Sequence, residues 1–337
     1  MTASPRVLLF ELLDASGASP SDARARAQVL REAGANVRLV VFRREGAEDL
    51  QHGIDELRPQ AGIELVGGAD AAHAAAACAR QSRADLVLWA SAAPGGGPHA
   101  HAILPGATWW WPTGFAASSA PYGPLHALDA SLDAVGGSVL DVESLQRPRL
   151  SLWDGPYALV ASPLSAADAR AAFASFAKAV SERDDLDLVV LDHPSDTLDT
   201  LARAAGVAQR VHCVGAPPRE AEVAWLQNTR AALVGLHRPV SSGLVLRALA
   251  AGCPVLPLGE HVATLATWLE ARGLSWAPTG SHRVGAALET VLQRGDAVER
   301  ALAHGRALAR GFDQQALAAR CAPAISALLA HRRDKAA

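Results

Sequence analysis

Short apolar runs alternate with helix-like stretches along nearly the whole chain, and this alternation restricts the fold more than any other feature. Val7–Phe10 is an apolar run, and Ser21–Ala33 has helical character with a cap at Ser21 or a nearby residue. Gly34 punctuates that helix, and Val37–Phe42 is a β-branched run. Ile63–Val66, an alanine-rich stretch at Ala71–Ser82 behind Asp70, and Ala84–Trp89 repeat the theme. Strands and helices taken in turn imply a parallel sheet with helices on both faces.

The pattern breaks between Ala92 and Gly123, where Gly95–Gly97 and scattered prolines mark loops around one apolar run at Ala107–Trp111. A helix is expected near Leu125–Ala134 and a short strand near Ser138–Val142, followed by a Pro- and Arg-containing connection. From Tyr157 the alternation restarts: strands at Ala158–Ser162, Leu186–Asp192, Val211–Val214, Ala231–Leu236 and Pro254–Leu258 are separated by helical stretches. Helices then fill most of the chain to Leu329. The expected organisation is an N-terminal Rossmann-like domain over 1–145, a linker over 146–156, a second α/β domain over 157–329 and a tail over 330–337. Two doubly wound domains facing across a cleft are the expected architecture.

At 337 residues, half of them hydrophobic and 19% charged, the chain has ample material for two buried cores. The formal charge of −3 offers no basic surface for nucleic acid or an anionic membrane. No apolar run reaches the length of a membrane span, and the N-terminus lacks a signal-peptide core. Cys78, Cys213, Cys253 and Cys321 are far apart without a C-x-x-C pair, so neither a zinc site nor a disulfide framework is expected. A reduced, cytoplasmic setting fits. The arginine and alanine richness, with Lys178 and Lys335 the only lysines, suits a GC-rich bacterial genome.

Arg247-Ala-Leu-Ala-Ala-Gly-Cys-Pro-Val255 resembles the E-A-(M/L)-A-x-G-x-P-V signature of the group 1, retaining glycosyltransferases with the GT-B fold. Arg210-Val-His-Cys-Val-Gly215 resembles the R-V-x-F-x-G strand before their donor site, and Ala224–Asn228 with Ala231–Val234 resembles the helix and strand after it. The resemblance spans about 170 residues from Tyr157; the N-terminal half fits it only as an opening βαβ unit. It implies a nucleotide-sugar donor held in the C-terminal domain and an acceptor on the N-terminal side.

Local chemistry is compatible with that implication. A helix is expected to start near Ser242 or Gly243, and a helix N-terminus presents free N–H groups suited to a diphosphate. Ser241 and Ser242 add hydroxyls, Gly243 permits close backbone approach, and an ordinary capped helix explains the same residues.

The family's charged positions are nevertheless lost. Its two donor-site glutamates, eight positions apart, fall on Pro239 and Arg247, and its arginine and lysine after the first strand fall on Ser162 and about Ala167. The histidine that it keeps near the acceptor falls near Trp110–Trp111. Arg238 and Arg247 are candidates for restoring positive charge, or else they are surface arginines.

Trp109, Trp110 and Trp111 are suited to stacking on a sugar or base, or equally to packing at a strand edge. His99 and His101 have no partner at metal-ligand spacing, so solvated loop histidines explain them. Gly95–Gly97 lacks both G-x-G-x-x-G and a Walker lysine. Asp192-His193 stands at a strand's carboxyl end, either as an acid/base pair or as a turn capped by Asp192 and closed by Pro194. The expected activity is metal- and cofactor-free transfer from a nucleotide-diphosphate sugar to a small-molecule, glycan or lipid acceptor. The alternatives are an inactive homologue serving as a binding or partner subunit and, more remotely, another nucleotide-sugar reaction such as epimerisation.

Overall fold

The computed structural model describes residues 4–13, 20–43, 63–67, 81, 83–89, 108–110, 139–161, 164–180, 185–215, 217, 219–235, 242–258, 263–274, 276 and 284–336. Two compact units are present. The first comprises Met1–Val139, Ser241–Gly243 and Phe312–Ala337; the second comprises Leu140–Val240 and Leu244–Gly311.

In the first unit, β1 (Arg6–Leu13), β2 (Asn36–Arg43), β3 (Ile63–Gly67), β4 (Leu86–Trp89) and β5 (Thr108–Trp110) form one sheet in the order β3-β2-β1-β4-β5. Every pairing is parallel. Val7, Leu8 and Leu9 of β1 and Leu39, Val40 and Val41 of β2 are buried as continuous runs, as strands covered on both faces require. Helix α1 (Pro20–Glu32) begins one residue before Ser21, so Ser21 lies in its first turn and the capping position falls outside the described residues. Proline suits that opening position because its missing N–H is one that the first turn leaves unbonded. Of the expected helix at 71–82 only Gln81 is described, and it is helical; the expected helix at 125–134 lies outside the described residues.

The second unit opens with Leu140 in a β-bridge and then helix α2 (Val142–Gln146), so the strand expected near Ser138–Val142 is reduced, among the described residues, to that bridge. The reason is local: the Asp141 carboxylate accepts the Ser144 N–H at 3.0 Å and nucleates a helical turn. Residues 147–156 form an irregular strap tied to the unit rather than a free linker. Gln227 Nε2 donates to the carbonyls of Leu145 (2.7 Å) and Arg147 (2.8 Å), and Asn228 Nδ2 donates to that of Arg149 (3.3 Å). Trp153 Nε1 donates to Asp187 Oδ2 at 3.0 Å, and its ring lies 4.6 Å from the His212 ring.

The second sheet comprises β6 (Tyr157–Val160), β7 (Asp187–Val190), β8 (Val211–Cys213), β9 (Ala232–Gly235) and β10 (Val255–Leu258) in the order β10-β9-β6-β7-β8. It too is wholly parallel. Renumbered from its own first strand, this order is the same 3-2-1-4-5 arrangement as the first sheet, so the chain contains two copies of one doubly wound topology. Helix α3 (Ala166–Ala179) starts at Ser165, whose Oγ accepts the Asp168 N–H, and buries Phe173 and Phe176. Helix α4 (Asp196–Ala204) is capped in the same way by Ser195.

Helix α5 (Arg219–Asn228) leads from β8 back to β9, and α6 (Ser242–Ala250) leads from β9 to β10. The buried Tyr157 at the start of β6 donates its hydroxyl to the Trp225 carbonyl of α5 at 2.8 Å, and its ring meets Trp225 edge-on. Helices α7 (Ala263–Glu270), α8 (Val284–Leu292) and α9 (Asp296–Arg310) complete this unit, while α10 (Gln314–Ala336) packs on α1 in the first.

Candidate functional site

In an open parallel sheet, ligands bind outside the carboxyl ends of the strands where the strand order reverses. In the second sheet the chain proceeds from β6 to β7 and β8 on one side, then returns to β9 and β10 on the other. The reversal therefore lies between β6 and β9, and the elements that leave it are the loop into α3 and the start of α6. This location follows from topology alone and coincides with the helix start singled out in the sequence.

Helix α6 begins at Ser242, so Ser242 and Gly243 occupy its first turn, where backbone N–H groups lack intrahelical acceptors. Gly243 is buried. Arg238, Pro239 and Ser241 lie outside the described residues, as do the side chains of Ser242, Trp109 and Trp110 and all of Trp111. Trp109 and Trp110 are residues of β5, an edge strand of the first sheet.

Arg247 is the one residue of α6 after Ser242 that is not buried in the class of its neighbours; Leu244, Val245, Leu246, Ala248, Leu249 and Ala250 are all core. Its charge is matched by Glu222 of α5, a partner not foreseen from the sequence. Arg247 Nη2 donates to both Glu222 oxygens, at 3.0 and 3.1 Å, and the two side chains are only 11% and 15% exposed. The guanidinium expected to offset a diphosphate is thus already engaged by a carboxylate. The Arg247 Nε is buried without an acceptor, so the pair leaves part of the fork unused.

Ala167, one of the two positions where the resemblance implies a cation, is exposed in the first turn of α3 beside the buried Asp168. Ser162, the other, lies outside the described residues. Asp192 follows β7, and its Oδ1 accepts the N–H of the next residue, His193, at 2.8 Å. Its Oδ2 also accepts the Leu164 N–H at 3.2 Å, a bond to the loop after β6 that local sequence does not reveal. His193 is exposed, and a Cβ at Gly215, which has φ +78°, would stand 4.0 Å from its Nδ1.

Burial disfavours the thiolate at Cys213 and Cys253. Burial pushes Cys253 up to about 12, against a small lowering by the Ala232 backbone N–H and Arg294. Burial also raises Cys213, reinforced by Asp199 and Asp192. Among the described residues no group of three or more His, Cys, Asp or Glu side chains is placed to hold a metal ion, and no helix is long and apolar enough to cross a membrane.

The sequence matches no known family profile and no curated protein. The fold, by contrast, is that of many solved structures. A glycosyltransferase from Rickettsia africae ESF-5 matches with a TM-score of 0.63 at 10% identity, over 97% of this chain and 99% of that one. A putative UDP-N-acetylglucosamine 2-epimerase from Listeria monocytogenes gives 0.59 at 14% identity, over 96% of each chain. The UDP-GlcNAc 2-epimerase from Neisseria meningitidis bound to UDP-GlcNAc gives 0.58 at 11% identity, over 95% of this chain and 99% of that one. The architecture is therefore of the GT-B type, two Rossmann-like α/β domains in one chain, as the sequence led one to expect.

Proposed function

We propose that this protein binds a nucleotide-diphosphate sugar at the carboxyl end of its second sheet and transfers the sugar to an acceptor. The observation that carries the proposal is the strand reversal between β6 and β9 with the first turn of α6 beside it, a place where backbone N–H groups meet an anion. The match over nearly the whole chain to glycosyltransferases and to an epimerase bound to UDP-GlcNAc supports a nucleotide sugar as the ligand class. Ser241, Ser242 and Gly243 form the donor side of the proposal, with Arg238 as its cationic member; Arg247 joins it only where a diphosphate displaces Glu222 from its guanidinium. His193 and Trp109–Trp111 are its acceptor-side members. The reaction needs no metal if α6 and an arginine together stabilise the leaving diphosphate.

A second reading, epimerisation of the bound nucleotide sugar, is favoured by the epimerases among the matching structures. The two differ in products. Incubation with UDP-, GDP-, ADP- and TDP-sugars in the presence of mixed glycan and lipid acceptors tests both. Transfer releases a nucleoside diphosphate only when acceptor is present, and epimerisation yields a new nucleotide sugar without one. Nucleotide binding with neither product would identify an inactive, ligand-binding homologue.

A further inference from the structure

Asp192 joins three adjacent loops at the carboxyl ends of β6, β7 and β8. Its two carboxylate oxygens accept different backbone N–H groups: Oδ1 that of His193 on its own loop, at 2.8 Å, and Oδ2 that of Leu164 on the loop after β6, at 3.2 Å. Its backbone carbonyl accepts the Gly215 N–H on the loop after β8, at 3.1 Å. Gly215 takes φ +78°, a conformation in which glycine is the least strained residue, so the third loop is shaped to make this contact. Leu164 immediately precedes Ser165, the residue that caps α3. The carboxylate therefore fixes Leu164, at the entry to α3, and α3 follows the strand β6 that borders the reversal between β6 and β9.

We infer that Asp192 is a positioning residue for the nucleotide-sugar site: it holds Leu164, at the entry to α3 beside that site, and touches no ligand itself. This rests on the nucleotide-sugar reading for its ligand, although the loop-holding role does not. Two charge-assisted bonds from one carboxylate to two loops hold them more firmly than neutral contacts do, and a carboxylate is the side chain that accepts both without donating. No other residue type is as well suited. Asparagine keeps one acceptor oxygen and turns an N–H toward the second amide.

The test uses the full chain and three variants. Asp192→Ala removes both acceptors, and Asp192→Asn retains one. Ser195→Ala removes the cap of α4 next door without touching Leu164, which controls for general loosening. Amide hydrogen exchange at Leu164 is expected to accelerate in Asp192→Ala and much less in Asp192→Asn, with Leu188–Val190 still protected in both. For the nucleotide that binds wild type, affinity is expected to fall by about tenfold in Asp192→Ala, the scale of one charge-assisted bond, with partial rescue in Asp192→Asn and no loss in Ser195→Ala. Unchanged exchange at Leu164 in Asp192→Ala overturns the inference. So does equal loss of affinity in Asp192→Ala and Ser195→Ala. Absence of any nucleotide binding by wild type overturns the nucleotide-sugar reading instead, and exchange at Leu164 then decides the loop-holding role by itself.

Discussion

Arg247 Nη2 donates hydrogen bonds to both carboxylate oxygens of Glu222, at 3.0 and 3.1 Å, across the α5–α6 contact. Helix α6 is otherwise buried in the core, so an arginine in its second turn requires a counter-charge. At 11% and 15% exposure the pair lies between a surface bridge and a fully buried one. Arg247→Ala and Glu222→Ala are each expected to destabilise the fold by roughly 1–3 kcal/mol, with the double variant costing less than the sum. Urea unfolding of the four proteins in a double-mutant cycle measures this. A coupling near zero would mean that the two side chains do not depend on each other.

Helix α6 ends at Gly252, with φ +77°. The Cys253 N–H donates to the Ala248 carbonyl at 2.8 Å and the Gly252 N–H to that of Leu249 at 3.1 Å, the double bond pattern of a glycine-terminated helix. A Cβ at Gly252 would also stand 2.5 Å from Arg306 Nη1, displacing the end of that side chain. Gly252→Ala is expected to cost about 1–2 kcal/mol, most of it from the left-handed backbone. Thermal unfolding at pH 7 checks it; an unchanged or raised Tm would show that the turn relaxes freely.

Cys253 supplies a pH dependence. Its thiol rises from 9.0 unfolded to about 12 folded, chiefly through burial. A raised pKa in the folded state means that the native protein retains a proton which the unfolded chain releases. The associated stability is complete below pH 9 and declines as pH rises from 9 toward 12, by up to about 1.4 kcal/mol per pH unit. Denaturant unfolding at pH 8, 9 and 10 is expected to show a shallower alkaline decline in Cys253→Ala than in wild type. Parallel declines would remove Cys253 as the cause.

The strap before β6 makes a further expectation measurable. Leu150 is 89% exposed, so the Arg149–Leu150 bond is open to trypsin unless the backbone is held. Trp153 holds it through Asp187 and His212, and Gln227 and Asn228 hold it through three carbonyls. Trp153→Ala is expected to speed cleavage at Arg149–Leu150 severalfold at native pH, as local opening becomes easier. Unchanged cleavage kinetics would show that the side-chain amides alone hold the strap.

Much of the fold was legible because its determinants are local. Ser165 followed by Asp168 marks the start of α3, and the buried runs at Tyr157–Val160 and Ala232–Val234 read directly as two-faced strands. The strand expected near Ser138–Val142 is cut short to a β-bridge at Leu140 for an equally local reason, the cap that Asp141 supplies to the helix from Val142. The candidate site was legible in its backbone and obscure in its side chains. Ser242 and Gly243 do open a helix, but the partner of Arg247 is 25 residues away on another helix, and the Asp192 bond to Leu164 spans 28. Contacts of that range exist only once the sheet order has brought their elements together.

The central claim is that the carboxyl end of the second sheet binds a nucleotide diphosphate. Its most direct test is thermal unfolding of the full chain with UDP, GDP, ADP, TDP or CMP at millimolar concentration, since a ligand selective for the folded state raises Tm by mass action. At least one nucleoside diphosphate is expected to raise Tm by several degrees in a concentration-dependent way. No shift with any of the five nucleotides would contradict the claim.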